Sequence, residues 1–314
     1  MPAPAAAAKP PGWGRFMDII YRYEPSAALI PRQAMDAQLA IRELEEGHQR
    51  FRAIVMHVQK ELVGNVRPGS IIIPSDPLSL GFALIASAPV RQAPYALILG
   101  CSDARVPIER IFDQPPNELF VIRVAGNVLG TECLGSIDYA VQNLKGSLRL
   151  LVVLGHSGCG AVSAAVDSYL SPQDYPEIAF THALRSLVDR IQIAVRGAAK
   201  ALDRVHGPSL KRNPGYRDAL VETAVYLNAA LTAFDVRKEI EAIEGHMVQT
   251  VYAVFDLVDQ RVHALPDRKN AVAEATFGQV PSSTEEFTAL GDRLATAVQS
   301  KGILGPVSSE FVPQ

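Results

Sequence analysis

Two short stretches carry side chains that can do chemistry together: Gly100-Cys101-Ser102-Asp103-Ala104-Arg105-Val106-Pro107 and Gly155-His156-Ser157-Gly158-Cys159-Gly160. The first sets a thiol, a carboxyl and a guanidinium at alternate positions, and the second puts an imidazole three residues before a thiol. Each follows an apolar run, Tyr95 to Leu99 or Leu150 to Leu154, of the kind that forms a buried strand. In an open parallel sheet, ligands bind beyond the carboxyl ends of the strands, so two neighbouring strand ends would gather Cys101, His156 and Cys159 around one point. Two thiolates and an imidazole suit Zn²⁺, and three protein ligands leave a fourth position open for chemistry. Asp103 and Arg105 form the natural supporting pair, because a permanently protonated guanidinium keeps a neighbouring carboxylate ionised and oriented. An Asp and an Arg two apart most often make a plain surface ion pair; the adjacent Cys101 favours the functional reading.

The elements that must position these groups follow from periodicity. From Tyr95 onward the expected order is a strand, the first motif, a short helix at 108–112, a strand at 119–124, a loop at 125–127 and a helix at 133–144. A strand at 148–154, the second motif and a helix at 161–169 come next. Strands alternating with helices predict an α/β fold with a mostly parallel central sheet flanked by helices. Upstream, 31–63 reads as one or two helices with an apolar face of Leu39, Leu44, Phe51, Ile54, Val55 and Val58, a helical N-terminal arm, and Trp13 to Tyr23 also has near-helical spacing. Downstream, a helix is expected around 183–195, another at 218–244, and a strand at 248–258. Ser283 and Glu286 have capping-box spacing ahead of Phe287, Leu290, Leu294 and Val298, which predicts an amphipathic helix in a C-terminal extension, packed on the domain or on a partner subunit.

Composition bounds the rest. The 314-residue chain is 48% hydrophobic and 20% charged, with 30 basic against 33 acidic side chains, and it has no basic block to attract a phosphate backbone. No nucleic-acid partner is expected. The run Ile71 to Val90 is broken by Pro74, Ser75, Asp76 and Pro77, so no membrane partner is expected either. Three cysteines form no disulfide framework and suit a reducing, cytoplasmic compartment. Cys133 reads as a small buried hydrophobe. Residues 1–14, rich in Ala and Pro, read as a disordered tail without a secretory apolar segment. This divides the chain into that tail, a catalytic domain at 15–265 with an insert at 64–91, and an extension at 266–314. The insert suits a lid, an oligomer contact or a channel wall.

The pairing of Cys-x-Asp-x-Arg with His-x-x-Cys resembles the β-class carbonic anhydrases. So do Gln92-Ala93-Pro94, Ile111-Phe112-Asp113-Gln114, Glu118-Leu119-Phe120-Val121-Ile122-Arg123, Ala125-Gly126-Asn127 and Gly160-Ala161-Val162. The resemblance is dense from Gln92 to Val166 and ends past Leu265. It implies a zinc enzyme that hydrates CO₂ to bicarbonate and a proton by attack of zinc hydroxide, with Cys101, His156 and Cys159 as metal ligands. Asp103 either becomes a fourth ligand, closing the site, or turns to Arg105 and leaves it open, the form expected at high pH. The resemblance also implies that Gln92 lines the substrate pocket and that the chain forms a homodimer or larger homo-oligomer, with N-terminal helices embracing the neighbour. Four departures stand out. His48 replaces a usual Asn and reads as a surface or helix-packing residue. Ile98 stands where some members have the Trp of a regulatory bicarbonate pocket, so that regulation is not expected although Arg123 matches its Arg. Val124 replaces Asn, and Thr232 follows Asn228 where the family has Gln. Two other readings remain: a CS₂ or COS hydrolase on the same fold, and a non-catalytic scaffold or sensor with a closed zinc site, against which the intact Asp103 and Arg105 weigh.

Overall fold

The computed structural model describes residues 18–23, 35–63, 70–75, 91–243, 245, 247–266 and 276–304. The first elements are β1 (Asp18–Tyr23), α1 (Ala37–Val63) and β2 (Ser70–Ser75), and β1 and β2 pair in parallel as a separate two-stranded sheet. This corrects the helical reading of the segment ending at Tyr23, whose residues 13–17 lie outside the described residues. Ile19, Ile20, Tyr21 and Tyr23 have strand propensity, and the partner, Ile71 to Ile73, is some fifty residues away, where local periodicity does not register it. Apart from β2 and Arg91, the insert at 64–91 lies outside the described residues, as does the tail at 1–14.

The central sheet is built next: β3 (Ala96–Gly100), α2 (Ile108–Ile111), β4 (Leu119–Arg123), a 3₁₀ turn at Ala125–Asn127, α3 (Thr131–Asn143), β5 (Leu150–His156), α4 (Gly160–Leu170) and α5 (Tyr175–Ile178). Then come α6 (His182–His206), α7 (Tyr216–Glu241), β6 (Gln249–Phe255), β7 (Val262–His263), β8 (Gly278–Gln279) and α8 (Thr284–Ser300). The strand order is β4-β3-β5-β6-β7, with β8 also on β6; β4, β3, β5 and β6 run parallel, and β7 and β8 antiparallel. Every residue of β3 and β5 is buried, as expected where both faces of a parallel sheet are covered and the strands read as unbroken apolar runs.

One face carries α3, α4, α6, α7 and α8 in a single core, and the other carries α1 and α2. α7 is long and apolar enough to cross a membrane, yet 83% of that stretch is buried inside the protein, so it is the central helix of the core. α6 runs eleven residues past the expected Val195. Its extra turns bury Ala198, Ala199, Ala201 and Leu202, and alanines give a weak apolar signal while allowing close helix approach. A Cβ on Gly291 of α8 would stand 3.1 Å from the Ala201 Cβ. α8 packs on its own chain, with Leu290, Leu294 and Val298 buried and Phe287 against the same core. Its Ser283 cap accepts the Glu286 N–H, and the Glu286 carboxylate reaches back to Ser282 instead of to Ser283.

His48 is buried, not on the surface, and joins α1 to the sheet: its Nδ1 lies 3.0 Å from the Ile111 carbonyl and its Nε2 accepts the Val262 N–H at 3.1 Å. That pattern requires the neutral ring, and burial pushes its pKa down from 6.5 to about 4. Above pH 6.5 both folded and unfolded chains hold the ring neutral. Between pH 6.5 and about 4 only the unfolded chain takes up the proton, so stability falls with falling pH, by roughly 3 kcal/mol in all. The expected result is that His48→Asn, which cannot titrate, loses much of the slope of melting temperature against pH in this window, measured by thermal unfolding at several pH values.

Candidate metal centre

Gly100, the last residue of β3, pairs with Arg123 on one side and Leu154 on the other, so Cys101 leaves the sheet beside the end of β5. His156 is the last residue of β5 and is fully buried. Cys159 is the N-cap residue of α4, and the turn between them depends on Gly158 at φ 63, a left-handed conformation that glycine adopts freely. The two thiol sulfurs and a His156 ring nitrogen lie within 4.8 Å of one another, and all three residues are buried. A tetrahedral zinc with bonds of about 2.0–2.3 Å separates its ligand atoms by roughly 3.5–3.8 Å, so the three donors stand close to the spacing such an ion requires. The His156 Nδ1 points at the Ser157 carbonyl at 3.1 Å and so carries the proton, which leaves the lone pair on Nε2. That Nε2 is buried without a hydrogen-bond partner, a costly state for a polar atom and one that a cation would relieve.

The sulfurs make the same demand. Hydrogen bonding from Cys159 is the main cause that pushes the Cys101 thiol down to about 4, opposed by burial and aided by the Asp103 and Gly126 backbone. The Gly126 N–H lies 3.4 Å from the Cys101 sulfur. The interaction with Cys101, together with burial, pushes Cys159 far up although it sits at a helix N-terminus. A cation bound between the two sulfurs would displace the proton of the Cys159 thiol. The donor set fits zinc.

Asp103 is gripped by Arg105: Oδ1 accepts the backbone N–H at 2.9 Å and Nε at 3.0 Å, and Oδ2 accepts Nη2 at 2.7 Å. Hydrogen bonding from Arg105 holds this carboxyl well below the usual carboxylate range. Its Oδ2 stands 3.8 Å from His156 Nε2, so the carboxylate borders the cluster while turned to Arg105. Gln92, by contrast, is exposed before the start of β3, with roughly 16 Å of strand between it and Cys101. Within one chain it does not line this pocket. Cys133 is buried in the core at the first turn of α3, as its reading predicts.

Three supports were not read from the sequence. Arg123 donates to the Cys101 carbonyl (3.1 Å) and to the Asp103 carbonyl (2.6 Å), clamping the first motif; its place at the end of a strand beside β3 is the signal that would have found it. Asn228 of α7 donates to the Gly126 carbonyl at 2.8 Å, fixing the 3₁₀ turn without help from a Gln at 232. Ser157 is tied to Asp256 and Leu257 after β6. Asn127, of a residue type that tolerates the left-handed conformation, has φ 46.

Fold and donor set define a parallel-sheet protein with a candidate metal centre at its strand ends. A sequence model of the family described as carbonic anhydrase matches residues 96–262, just over half of the chain, and the protein belongs to that family. A carbonic anhydrase of Mycolicibacterium smegmatis is 42% identical over 128 residues, 40% of this chain and 59% of that protein. Carbonic anhydrase 2 of Mycobacterium tuberculosis is 53% identical over 75 residues, 24% of this chain and 35% of that one. The matched stretch thus spans about a third to three fifths of these relatives. A solved Coccomyxa β-carbonic anhydrase in complex with acetazolamide is 26% identical, covering 59% of this chain and 76% of that one at a TM-score of 0.44.

The glycines of the site separate by geometry. Gly126 has φ 69, and a Cβ there would meet Ile191 Cδ1 at 2.9 Å and Ala161 Cβ at 3.0 Å; Gly160 opens α4, and a Cβ there would meet nothing. A Cβ on Gly158 would likewise have open space, so its left-handed φ of 63 and not close packing calls for glycine there. Gly126→Ala is expected to cost roughly 1–3 kcal/mol, and Gly160→Ala no more than about 0.5 kcal/mol, read from chemical denaturation midpoints.

Proposed function

We propose that this protein is a zinc-dependent carbonic anhydrase that interconverts CO₂ and bicarbonate, with Cys101, His156 and Cys159 holding the metal. The observation that carries this reading is the convergence of two buried sulfurs and an unpartnered imidazole nitrogen within 4.8 Å, beside a carboxylate that Arg105 holds ionised. Zinc bound there would supply a Lewis acid that brings the pKa of a water down towards about 7, making hydroxide available at neutral pH.

The chain's own groups have distinct tasks. Cys101, His156 and Cys159 fix the metal and leave one face free. The thiolates put two negative charges beside the site, which raises the pH at which a bound water gives up its proton. An ionised Asp103 is an acceptor only, so its Oδ2 selects a hydrogen-bond donor at the fourth position and turns that donor's lone pair towards the carbon of CO₂. Released from Arg105, the same oxygen would take the fourth position itself; three hydrogen bonds from Arg105 favour the open arrangement. Three free, buried cysteines support a reducing, cytoplasmic setting. A homo-oligomer belongs to the same reading, supported by Ile54, Val55 and Val58 of α1, an apolar row only half-buried in the single chain.

Elemental analysis with stopped-flow CO₂ hydration at about pH 7 and 8.5 tests the reading. The wild type is expected to hold one zinc per chain and to hydrate faster at the higher pH, and Cys159→Ser to fall to background with its zinc lost. Zinc without hydration at either pH would overturn it, and would bring CS₂ or COS hydrolysis or a non-catalytic zinc site to the front.

A further inference from the structure

Lys301, beyond the family match, enters a buried ion cluster that reaches back to the candidate metal centre. Lys301, in the turn that closes α8, places its ammonium against Glu222 of α7 and 2.8 Å from the Asp256 Oδ2. The side chains of Lys301 and Glu222 are 8% exposed and that of Asp256 2%, so water does little to screen or replace these contacts. Burial works against the Lys301 charge, yet Glu222 and Asp256 hold its pKa above the ordinary value, and the residue is cationic at neutral pH.

Asp256 directly follows β6, whose last residue, Phe255, is the register partner of His156. Its Oδ1 accepts the Val258 N–H at 2.7 Å and lies 3.4 Å from the Ser157 hydroxyl, which donates to it. The same hydroxyl accepts the Leu257 N–H at 2.9 Å, and the Ser157 N–H donates to the Phe255 carbonyl at 3.0 Å. The Ser157 carbonyl in turn takes the proton of His156 Nδ1. Backbone and side chain of Ser157 are thus both pinned, and its carbonyl sets the tautomer and plane of the ring whose Nε2 enters the cluster.

We propose that Lys301 is a positioning residue for the metal centre, acting on His156 through Asp256 and Ser157. The proposal rests on the reading of Cys101, His156 and Cys159 as metal ligands. The physical reason is one of compensation. The buried Asp256 carboxylate meets the Lys301 ammonium at Oδ2 and the Ser157 hydroxyl at Oδ1, so the ammonium helps fix where the carboxylate points. Without Lys301, Glu222 and Asp256 both lose a buried ammonium contact, and the Asp256 carboxylate loses a partner that orients it. Partners that orient a ligating histidine are worth about 10–100-fold in metal affinity, so the last turn of α8 tunes a site that α8 does not touch.

The test uses the full chain and two probes, zinc affinity by chelator competition and the visible spectrum of the Co²⁺-substituted protein, which reports ligand geometry. Lys301→Met is expected to weaken zinc binding by about 10–100-fold and to change the cobalt spectrum. Ser157→Ala should do the same, and the double variant should bind no more weakly than the weaker single variant, since both break one chain. Leu294→Ala removes buried packing from α8 away from this chain, and is expected to lower the melting temperature while leaving zinc affinity and spectrum as in the wild type. Should Lys301→Met not fold, Asp256→Asn, which keeps shape and loses charge, is expected to show the same loss. Unchanged affinity in Lys301→Met or Asp256→Asn, effects that multiply in the double variant, or an equal loss in Leu294→Ala would each overturn the proposal. A wild type that takes up neither metal would instead overturn the reading of the site itself, and this proposal with it.

Discussion

Two thiols and the lone pair of an imidazole, buried within 4.8 Å of one another, are a set of groups that cannot all be satisfied by one another. A thiolate at Cys101 is favoured by a Cys159 thiol that keeps its own proton, and the His156 Nε2 has no hydrogen-bond partner. Burying groups in that condition costs stability, and the surrounding structure must over-determine their positions to keep them there. Much of the architecture follows from this constraint. β3 and β5 are buried along their whole length, and an immobile pair of adjacent strands is what fixes Cys101 against His156.

The strands set the approach, and hydrogen bonds to backbone set the final positions. Arg123 clamps the carbonyls of Cys101 and Asp103, Asn228 holds the turn whose Gly126 N–H lies by the Cys101 sulfur, and Ser157 fixes the His156 ring. Each support comes from a different element: β4, α7 and the turn after β5. A shift in any one of them moves a donor by tenths of an ångström, which matters for a metal whose bond lengths vary little. Asp103 is the exception, being tied by three bonds to a single, largely exposed partner only two residues away. A carboxylate held by one exposed neighbour can change partner more readily than one held by three separate elements.

What the sequence made legible divides along the range of the interactions concerned. The candidate metal-binding residues, the succession of strands along the chain and the capped α8 are written in short spacings: Cys101 to Arg105, His156 to Cys159, and apolar runs of five to seven residues. The pairing of β1 with β2 was not legible, because its stability comes from residues fifty positions apart and its local pattern imitates a helix. The second half of α6 was missed because alanine faces carry little hydrophobic contrast. Of the two readings of His48, surface or helix packing, the structure agrees with the second; only the fold brings Ile111 and Val262 to its two nitrogens. Gln92 was placed by resemblance alone, and the run of β3 sets it at the opposite end of the sheet from Cys101.

The same distinction bears on the C-terminal segment. By sequence it is an extension that begins where the family resemblance stops, which invites treating it as separable. In the structure α8 shares one core with α6 and α7, Arg204 and His206 bind Asp292 and the Ala295 carbonyl, and Lys301 enters a buried cluster with two carboxylates. A buried charge cluster is poor evidence for stability in itself, since well-packed apolar groups of the same volume often do as well. Its value lies in direction: an ammonium fixes where a carboxylate points, which an apolar contact cannot. That Asp256 borders the turn carrying a candidate metal ligand gives such a cluster a reason to be charged, and makes the end of α8 part of the apparatus that the sheet alone would leave incomplete.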